Sequence, residues 1–317
     1  MSIIRSGVRR STIGVALVVA ALVASACGSS TTNTTTTAAG GSTTTTAAGG
    51  GSIPTASKNA TLAAEVPSSV SSKGTWVVAA DATYAPDEFI ASDGHTVVGM
   101  DPDLATAIAQ VLGLKVSVVN ATFDTIIPGI QSNKFGMGAS SFTDTLARQK
   151  QVDFVTYFTA GEAFYKKVGG TANVGSTLAS ICGLSVAAES GTTEETDAKA
   201  ASATCTKGGK KAVSVLTFPN QNDANAAVAS GRADVGFLDS QIAAYVVAQS
   251  KGQFVLTGPT FNSAPYGLAL PKGNGMAKPV LGAVKALMAD GIYLKILKKW
   301  GVESGAISNP KINGATS

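Results

Sequence analysis

Histidine is nearly missing from these 317 residues: His95 stands alone, in the turn-like stretch Ser92-Asp93-Gly94-His95-Thr96. Cysteine occurs three times, with no CxxC pair. A zinc site therefore has no ligand set to draw on, and neither a Ser-His-Asp nor a Cys-His nucleophile finds support. Charged residues are few, at 14%, while the 44% of apolar residues is ordinary for a folded chain. The main apolar run, Ile13 to Ala26, is 14 residues long. That is about 21 Å of helix against a hydrocarbon core of about 30 Å, too short to span.

What precedes and follows the run explains it. Arg5, Arg9 and Arg10 stand in front, and Leu22-Val23-Ala24-Ser25-Ala26-Cys27 closes it. A positive start, an apolar middle and a small-residue end make a signal peptide over residues 1–26. Small residues just before a cysteine resemble the lipobox of bacterial lipoproteins, in which Cys27 becomes the acylated first residue. Acyl chains hold a protein to a membrane surface without a spanning helix. Removing residues 1–26 leaves 21 basic against 20 acidic side chains, a net charge of +1. Nucleic-acid binding has no support at that charge.

Residues 28–52 are only Gly, Ser, Thr, Ala and Asn, with TTTTAAGG at 34–41 and again at 43–50. Such a stretch has nothing to bury and reads as a linker, taken here as residues 27–72 including the lipidated cysteine. Its 45 residues from 28 to 72 would span roughly 35–40 Å, enough to reach a partner in the same membrane. Cys182 and Cys205 remain as an even pair in an exported, oxidising setting, which predicts a disulfide over two free thiols.

From about residue 75 short β-like runs alternate with helical ones. Trp76 to Ala80 reads as a buried strand. Asp101-Pro102-Asp103 opens a helix carrying Leu104, Ile108, Val111 and Leu112 on one stripe, and Gly113 stops it. Lys115–Asn120 and Val152–Tyr157 read as strands around a helix with Ile126, Ile127 and Ile130. A second round starts at Leu184–Ala188, continues through an acidic, alanine-rich helix and Ala224–Ala229, and ends in the strand Ala233–Leu238 and a helix over Asp239–Gln249. Two amphipathic helices, Pro279–Ala289 and Ile292–Trp300, close the pattern. This alternation predicts an α/β fold with largely parallel sheets. About 240 residues is a size at which one core tends to split in two.

Several short motifs occur in order: Asp81-Ala82-Thr83-Tyr84-Ala85-Pro86, Gly99-Met100-Asp101-Pro102-Asp103-Leu104, Ile126-Ile127-Pro128-Gly129-Ile130, Arg148 before Gln151-Val152-Asp153-Phe154, Gly191-Thr192-Thr193, Gly231-Arg232-Ala233-Asp234, Ala289-Asp290-Gly291-Ile292-Tyr293 and Lys298-Lys299-Trp300-Gly301. Together, over residues 75 to 301, they resemble the family 3 extracellular solute-binding proteins of polar amino acid ABC importers. The resemblance implies a bilobed, type II periplasmic-binding-protein-like α/β fold, its lobes joined by two crossover strands near 163–169 and 257–265. Residues 73–165 and 259–317 would form lobe one with a C-terminal tail, and 166–258 lobe two. It further implies a free amino acid, polar or cationic, as ligand, an ABC permease as partner, no cofactor, no metal and no catalysis. A monomer outside the cytoplasm, held to the membrane by its lipid, is expected.

A free amino acid must have both of its charges met if it is to be buried. Arg148 matches the family's carboxylate-binding arginine, whose planar fork suits two oxygens. Ser140, Ser141 and Thr143 precede it, offering hydroxyls and backbone N–H groups. Asp239, after the strand Val235-Gly236-Phe237-Leu238, is the candidate for the ammonium, with a helix N-cap as the plainer reading and the two roles compatible. Gly191, Thr192 and Thr193 would bind the carboxylate from the other lobe at a helix N-terminus, or simply cap that helix. Tyr84 and Phe123 match aromatic positions around the ligand side chain, and Asp81 one that meets a polar or cationic tip. The pattern departs at Gly136 and Ala147, where the family often has an acid, and at Asp87, commonly Phe or Asn. Two rivals stay open on this fold: a dehydratase acting on cyclic amino or oxo acids, and a ligand-sensing envelope lipoprotein without a transporter.

Overall fold

The structure, a computed structural model, describes residues 54–315. The signal peptide, Cys27 and the repeated Thr/Gly/Ala stretch lie outside the described residues.

The first finding is a difference from expectation. Residues 54–72, assigned to the linker, pack onto the body of the protein as α1 (Ala60–Ala64) and α2 (Ser68–Ser71). Their sparse apolar residues are the reason. Ala56 and Val66 are buried in the main core, with Leu62 and Val70 against it. The Ala56 N–H donates to Gln110 Oε1 and the Asn59 N–H to the Val111 carbonyl. Polar composition hid a segment that buries two apolar side chains and half-buries two more.

Then come β1 (Thr75–Ala80), the small strands β2 (Thr83–Tyr84), β3 (Glu88–Ile90) and β4 (Val97–Val98), and α3 (Met100–Leu112). Gly113 ends α3 in the left-handed conformation at φ 67°, as its position predicted. There follow β5 (Lys115–Asn120), α4 (Phe123–Gln131), β6 (Met137–Gly138), α5 (Leu146–Gln149) and the long β7 (Val152–Lys167). The second round is β8 (Ser185–Glu189), α6 (Thr193–Lys207), β9 (Ser214–Phe218), α7 (Gln221–Ser230), β10 (Val235–Asp239) and α8 (Ser240–Gln249). The chain closes with β11 (Phe254–Pro271), α9 (Ala277–Ala289) and α10 (Ile292–Trp300).

Eight strands hydrogen-bond in the order β5-β1-β6-β11-β7-β10-β8-β9. The β1/β5, β1/β6, β8/β9 and β8/β10 pairs are parallel; pairs involving β7 or β11 are antiparallel. Two right-length βαβ units are thus joined through the long strands β7 and β11. Their pairing runs from Val152↔Pro271 to Lys167↔Phe254, with register breaks between Thr257 and Ala264. One half has its main core between the sheet and α3, α9 and α10, built from residues such as Leu104, Ile108, Leu268, Val284 and Ile296. The other half buries Val186, Ala198 and Phe237 on one face and Ala224, Val228 and Ile242 on the opposite one. The molecule is bilobed, as the ordered motifs implied. Cys182 and Cys205 form a disulfide with Cα atoms 5.6 Å apart, tying the turn before β8 to the end of α6. Among the described residues no helix is long and apolar enough to cross a membrane.

Candidate functional site

The C-terminal ends of β1 and β6 in one lobe face those of β8 and β10 in the other. A cavity lies between them. Its lining includes Asp81, Tyr84, Phe123, Ser140, Ser141, Thr143, Arg148, Thr192, Thr193 and Asp239, ten residues singled out from the sequence, together with Glu88, Glu189 and Glu194.

Arg148 sits on the short α5, where the Arg148 N–H donates to the hydroxyl of the N-cap Thr145. The Arg148 Nη1 donates to the Thr143 carbonyl at 2.8 Å, and Nη2 to the Gly191 carbonyl of the facing lobe at 2.9 Å. Its guanidinium carbon stands 5.4 Å from the Phe123 ring centre and 5.5 Å from that of Phe142. Those two rings stack on each other at 4.4 Å. Two carbonyls and two aromatic faces therefore fix the fork, and guanidinium N–H groups are left over for an anion. Gly191 does not line the cavity; its role is the contact to Arg148. Its φ of +81° favours glycine there, and an added Cβ would also crowd the Asp124 Cβ at 3.0 Å.

Asp239 is the last residue of β10 and stands at the N-cap position of α8, yet its carboxylate makes no capping bond. Instead its Oδ2 accepts from the Tyr84 hydroxyl at 2.8 Å, and the Asp239 N–H donates back to that hydroxyl at 3.0 Å. The side-chain capping bond that the sequence allowed is not made, and Asp239 lines the cavity. Thr192 goes the other way: its hydroxyl caps α6, accepting from the Glu195 N–H and donating to the Glu189 carbonyl. Thr193 Oγ1 meets Thr143 Oγ1 across the cleft at 3.4 Å.

Asp81 is 2% exposed. Its Oδ1 accepts from the Thr83 hydroxyl at 2.6 Å and its Oδ2 from the Phe123 N–H at 2.9 Å. Ser141 takes a positive φ of 50°. Its N–H donates to Asp101 Oδ2, and its hydroxyl lies 3.0 Å from Asp87 Oδ2. Asp101, read from the sequence as a helix-start acid, is wholly buried, and its Oδ2 also accepts from the Tyr157 hydroxyl. The two serines are thus positioned by a layer of acids behind them.

Sequence reasoning gave no role to three lining acids. Glu88 contacts both serine hydroxyls, at 3.2 and 3.4 Å. Glu189 ends β8 and lines the cavity with Asp81, whose charge across the cleft helps raise it, and its Oε1 is buried without a partner. Glu194, in the first turn of α6, accepts from the Thr193 hydroxyl and also has an unpartnered Oε1. The signal for Glu189 was an acid directly after a buried strand and just before Gly191-Thr192-Thr193.

The electrostatics follow from five carboxylates and one guanidinium in a buried space. Burial pushes Asp239 up to about 7, with Tyr266 and Tyr84 pulling it down. Burial, then the charge of Asp239, puts Glu194 at about 8. Glu88 and Glu189 lie well above the usual carboxylate range, again through burial first. Asp81 is raised by burial against the bonds from Thr83 and Phe123. Burial lowers Arg148, while Glu194 and Asp239 favour its charge. The site as built is short of positive charge. Among the described residues no group of His, Cys, Asp and Glu is arranged to hold a metal ion.

Two α/β lobes closing on a charged cleft at their strand ends define a solute-binding protein. Residues 76–303 match the model of the bacterial extracellular solute-binding proteins, family 3, and the chain belongs to that family. It is 32% identical over 251 residues to the arginine-binding protein ArgT of Corynebacterium glutamicum, covering 79% of this chain and 82% of that one. Among solved structures it resembles an ancestral arginine-binding protein bound to glutamine, with TM-score 0.65, 36% identity, and 73% and 99% of the two chains covered. It also resembles the ancestral amino acid-binding protein AncCDT-1, a precursor of cyclohexadienyl dehydratase, with TM-score 0.65, 34% identity, and 73% and 97% covered.

Proposed function

We propose that this protein captures a free L-amino acid with a cationic side chain and presents it to an ABC importer. One observation carries the choice of charge: Asp81, Glu88, Glu189, Glu194 and Asp239 line the cavity against Arg148 alone. A ligand with one carboxylate and two cationic groups brings the charge the cavity lacks. In this reading the Arg148 fork takes the α-carboxylate, helped by the first N–H groups of α6 and the hydroxyls of Ser141 and Thr143. Asp239, with Glu194 behind it, takes the α-ammonium. Asp81 and Glu189, from opposite lobes, take the distal cation, and Tyr84 and Phe123 flank the aliphatic stem. Because the groups come from both lobes, the ligand favours the closed arrangement.

The wider assignment is of a binding protein rather than an enzyme, working outside the cytoplasm as the family description says. We assign Cys27 as the lipid attachment point and the stretch after it as the tether, on the sequence argument alone. The chain passes from lobe one to lobe two along β7 and returns along β11.

Calorimetry with L-arginine, L-lysine and L-glutamine tests the reading. Arginine or lysine should bind more tightly than glutamine, and Arg148→Ala should weaken binding about a hundredfold or more. Glu189→Gln should weaken the cationic ligands while sparing glutamine. Tighter binding of glutamine by the unaltered protein, or an unchanged affinity in Arg148→Ala, overturns it; turnover of any ligand would favour the dehydratase reading.

A further inference from the structure

Beyond the matched residues, which end at 303, the chain does not trail away. Ala306 and Ile312 form antiparallel bridges with Phe158 and Val155, so this segment pairs with the first half of β7 on the side away from β11. The Thr156 N–H donates to the Lys311 carbonyl at 2.8 Å, and the Asn313 N–H to the Phe154 carbonyl at 2.9 Å. The Phe154 N–H donates to Asn313 Oδ1, and the Ile307 N–H to the Tyr293 hydroxyl. The last of these contacts reaches the site. Asp144 is 2% exposed, and its Oδ2 accepts from the Gly314 N–H at 2.7 Å and the Ala315 N–H at 3.2 Å. Its Oδ1 accepts from Gln149 Nε2 at 2.7 Å, and the Asp144 N–H donates to the Pro265 carbonyl.

Asp144 lies between Thr143, whose carbonyl holds Arg148 Nη1, and Thr145, whose hydroxyl caps α5 under Arg148. A carboxylate buried this deeply costs free energy unless donors meet it. Two of its three side-chain bonds come from the segment at 314–315, the other from Gln149 at the end of α5. Ala315 also lines the opening next to the cavity, beside Thr143, Thr193 and Asp239.

We propose that residues 306–315 are a strap that positions the ligand's carboxylate grip: through Asp144 they hold the loop that presents Arg148. This rests on the reading of Arg148 as the carboxylate partner. Neither Asp144 nor the strap lines the cavity itself; they act through Arg148, so they are positioning elements.

The test compares deletion of residues 306–317, Asp144→Asn and Arg148→Ala with the unaltered protein. The first readout is hydrogen exchange across residues 143–149, with no ligand added. The deletion and Asp144→Asn should speed exchange there by about tenfold, as expected when a buried charge-assisted bond is lost, while α3 keeps its protection. Unchanged protection of 143–149 overturns the proposal. The second readout is the ratio of affinities for L-arginine and L-argininamide, which differ at the carboxylate. Arg148→Ala should collapse that ratio, and the strap variants should lower it about tenfold. A ratio that falls only in Arg148→Ala sinks the strap and keeps the site. A ratio unmoved by Arg148→Ala sinks the reading beneath it. Should the deletion fail to fold, Asp144→Asn and Asn313→Ala carry both readouts.

Discussion

Asp239 serves two masters at different pH values. In its proposed role its carboxylate is wanted ionised by an ammonium and neutral by its surroundings, which put it at about 7. Below that value a ligand cation must displace a proton to pair with it. Affinity should therefore fall with acidification, by about tenfold per pH unit for each proton displaced. Calorimetry in two buffers of different ionisation enthalpy reads that proton directly; binding with no proton released below about pH 7 would contradict the assignment. The groups proposed to bear ligand charge were mostly visible in the sequence because each stands in a motif: Asp81 before Tyr84, Arg148 after Thr143, Asp239 at a strand end. Glu88, Glu189 and Glu194 were not, since what makes them matter is burial from another lobe, and no local spacing reports that. Gly136 shows the converse. An added Cβ there would meet the Trp76 ring at 2.4 Å, so the departure from the family's acid is a packing consequence.

The longer helices and the buried strands β1, β5, β8 and β10 were legible because their cues are local. The stripe and the Gly113 stop gave α3, and a buried run gave β1. The long strands β7 and β11 were read short or missed, because their outer halves are held by partners far away in sequence. The segment 54–72 was missed for a related reason: four apolar residues among polar ones are buried or half-buried only because α3 and α9 are there to receive them. The disulfide is an element-scale device. It anchors the far end of α6, whose first turn borders the cavity, to the turn before β8. Bridged residues 23 apart imply about 3 kcal/mol of stabilisation in the chain-entropy picture. Cys182→Ser with Cys205→Ser should lower the urea midpoint accordingly, with ligand affinity changed much less. An unshifted midpoint would mean the bridge contributes nothing.

At the scale of the whole molecule the buried acids set the pH at which the fold is most stable. Asp101 is held at about 6, Asp87 and Asp239 at about 7, and Glu194 at about 8, all raised by burial first. Unfolded, the same groups lose their protons near pH 4. Between about pH 4 and 8 the folded chain therefore binds more protons than the unfolded one, and stability falls as pH rises. Urea unfolding should give a higher midpoint at about pH 5 than at about pH 8, and a saturating cationic ligand should narrow the gap. Equal midpoints would refute this ordering.

The placement of the indoles has a practical outcome. Trp76 is buried in the lobe-one core, and Trp300 packs against that core, edge-on to Phe89, donating to Asp103. Neither lines the cavity. Intrinsic emission should then barely register capture of a solute, and an optical reporter would have to be introduced, for instance as Phe123→Trp over the guanidinium.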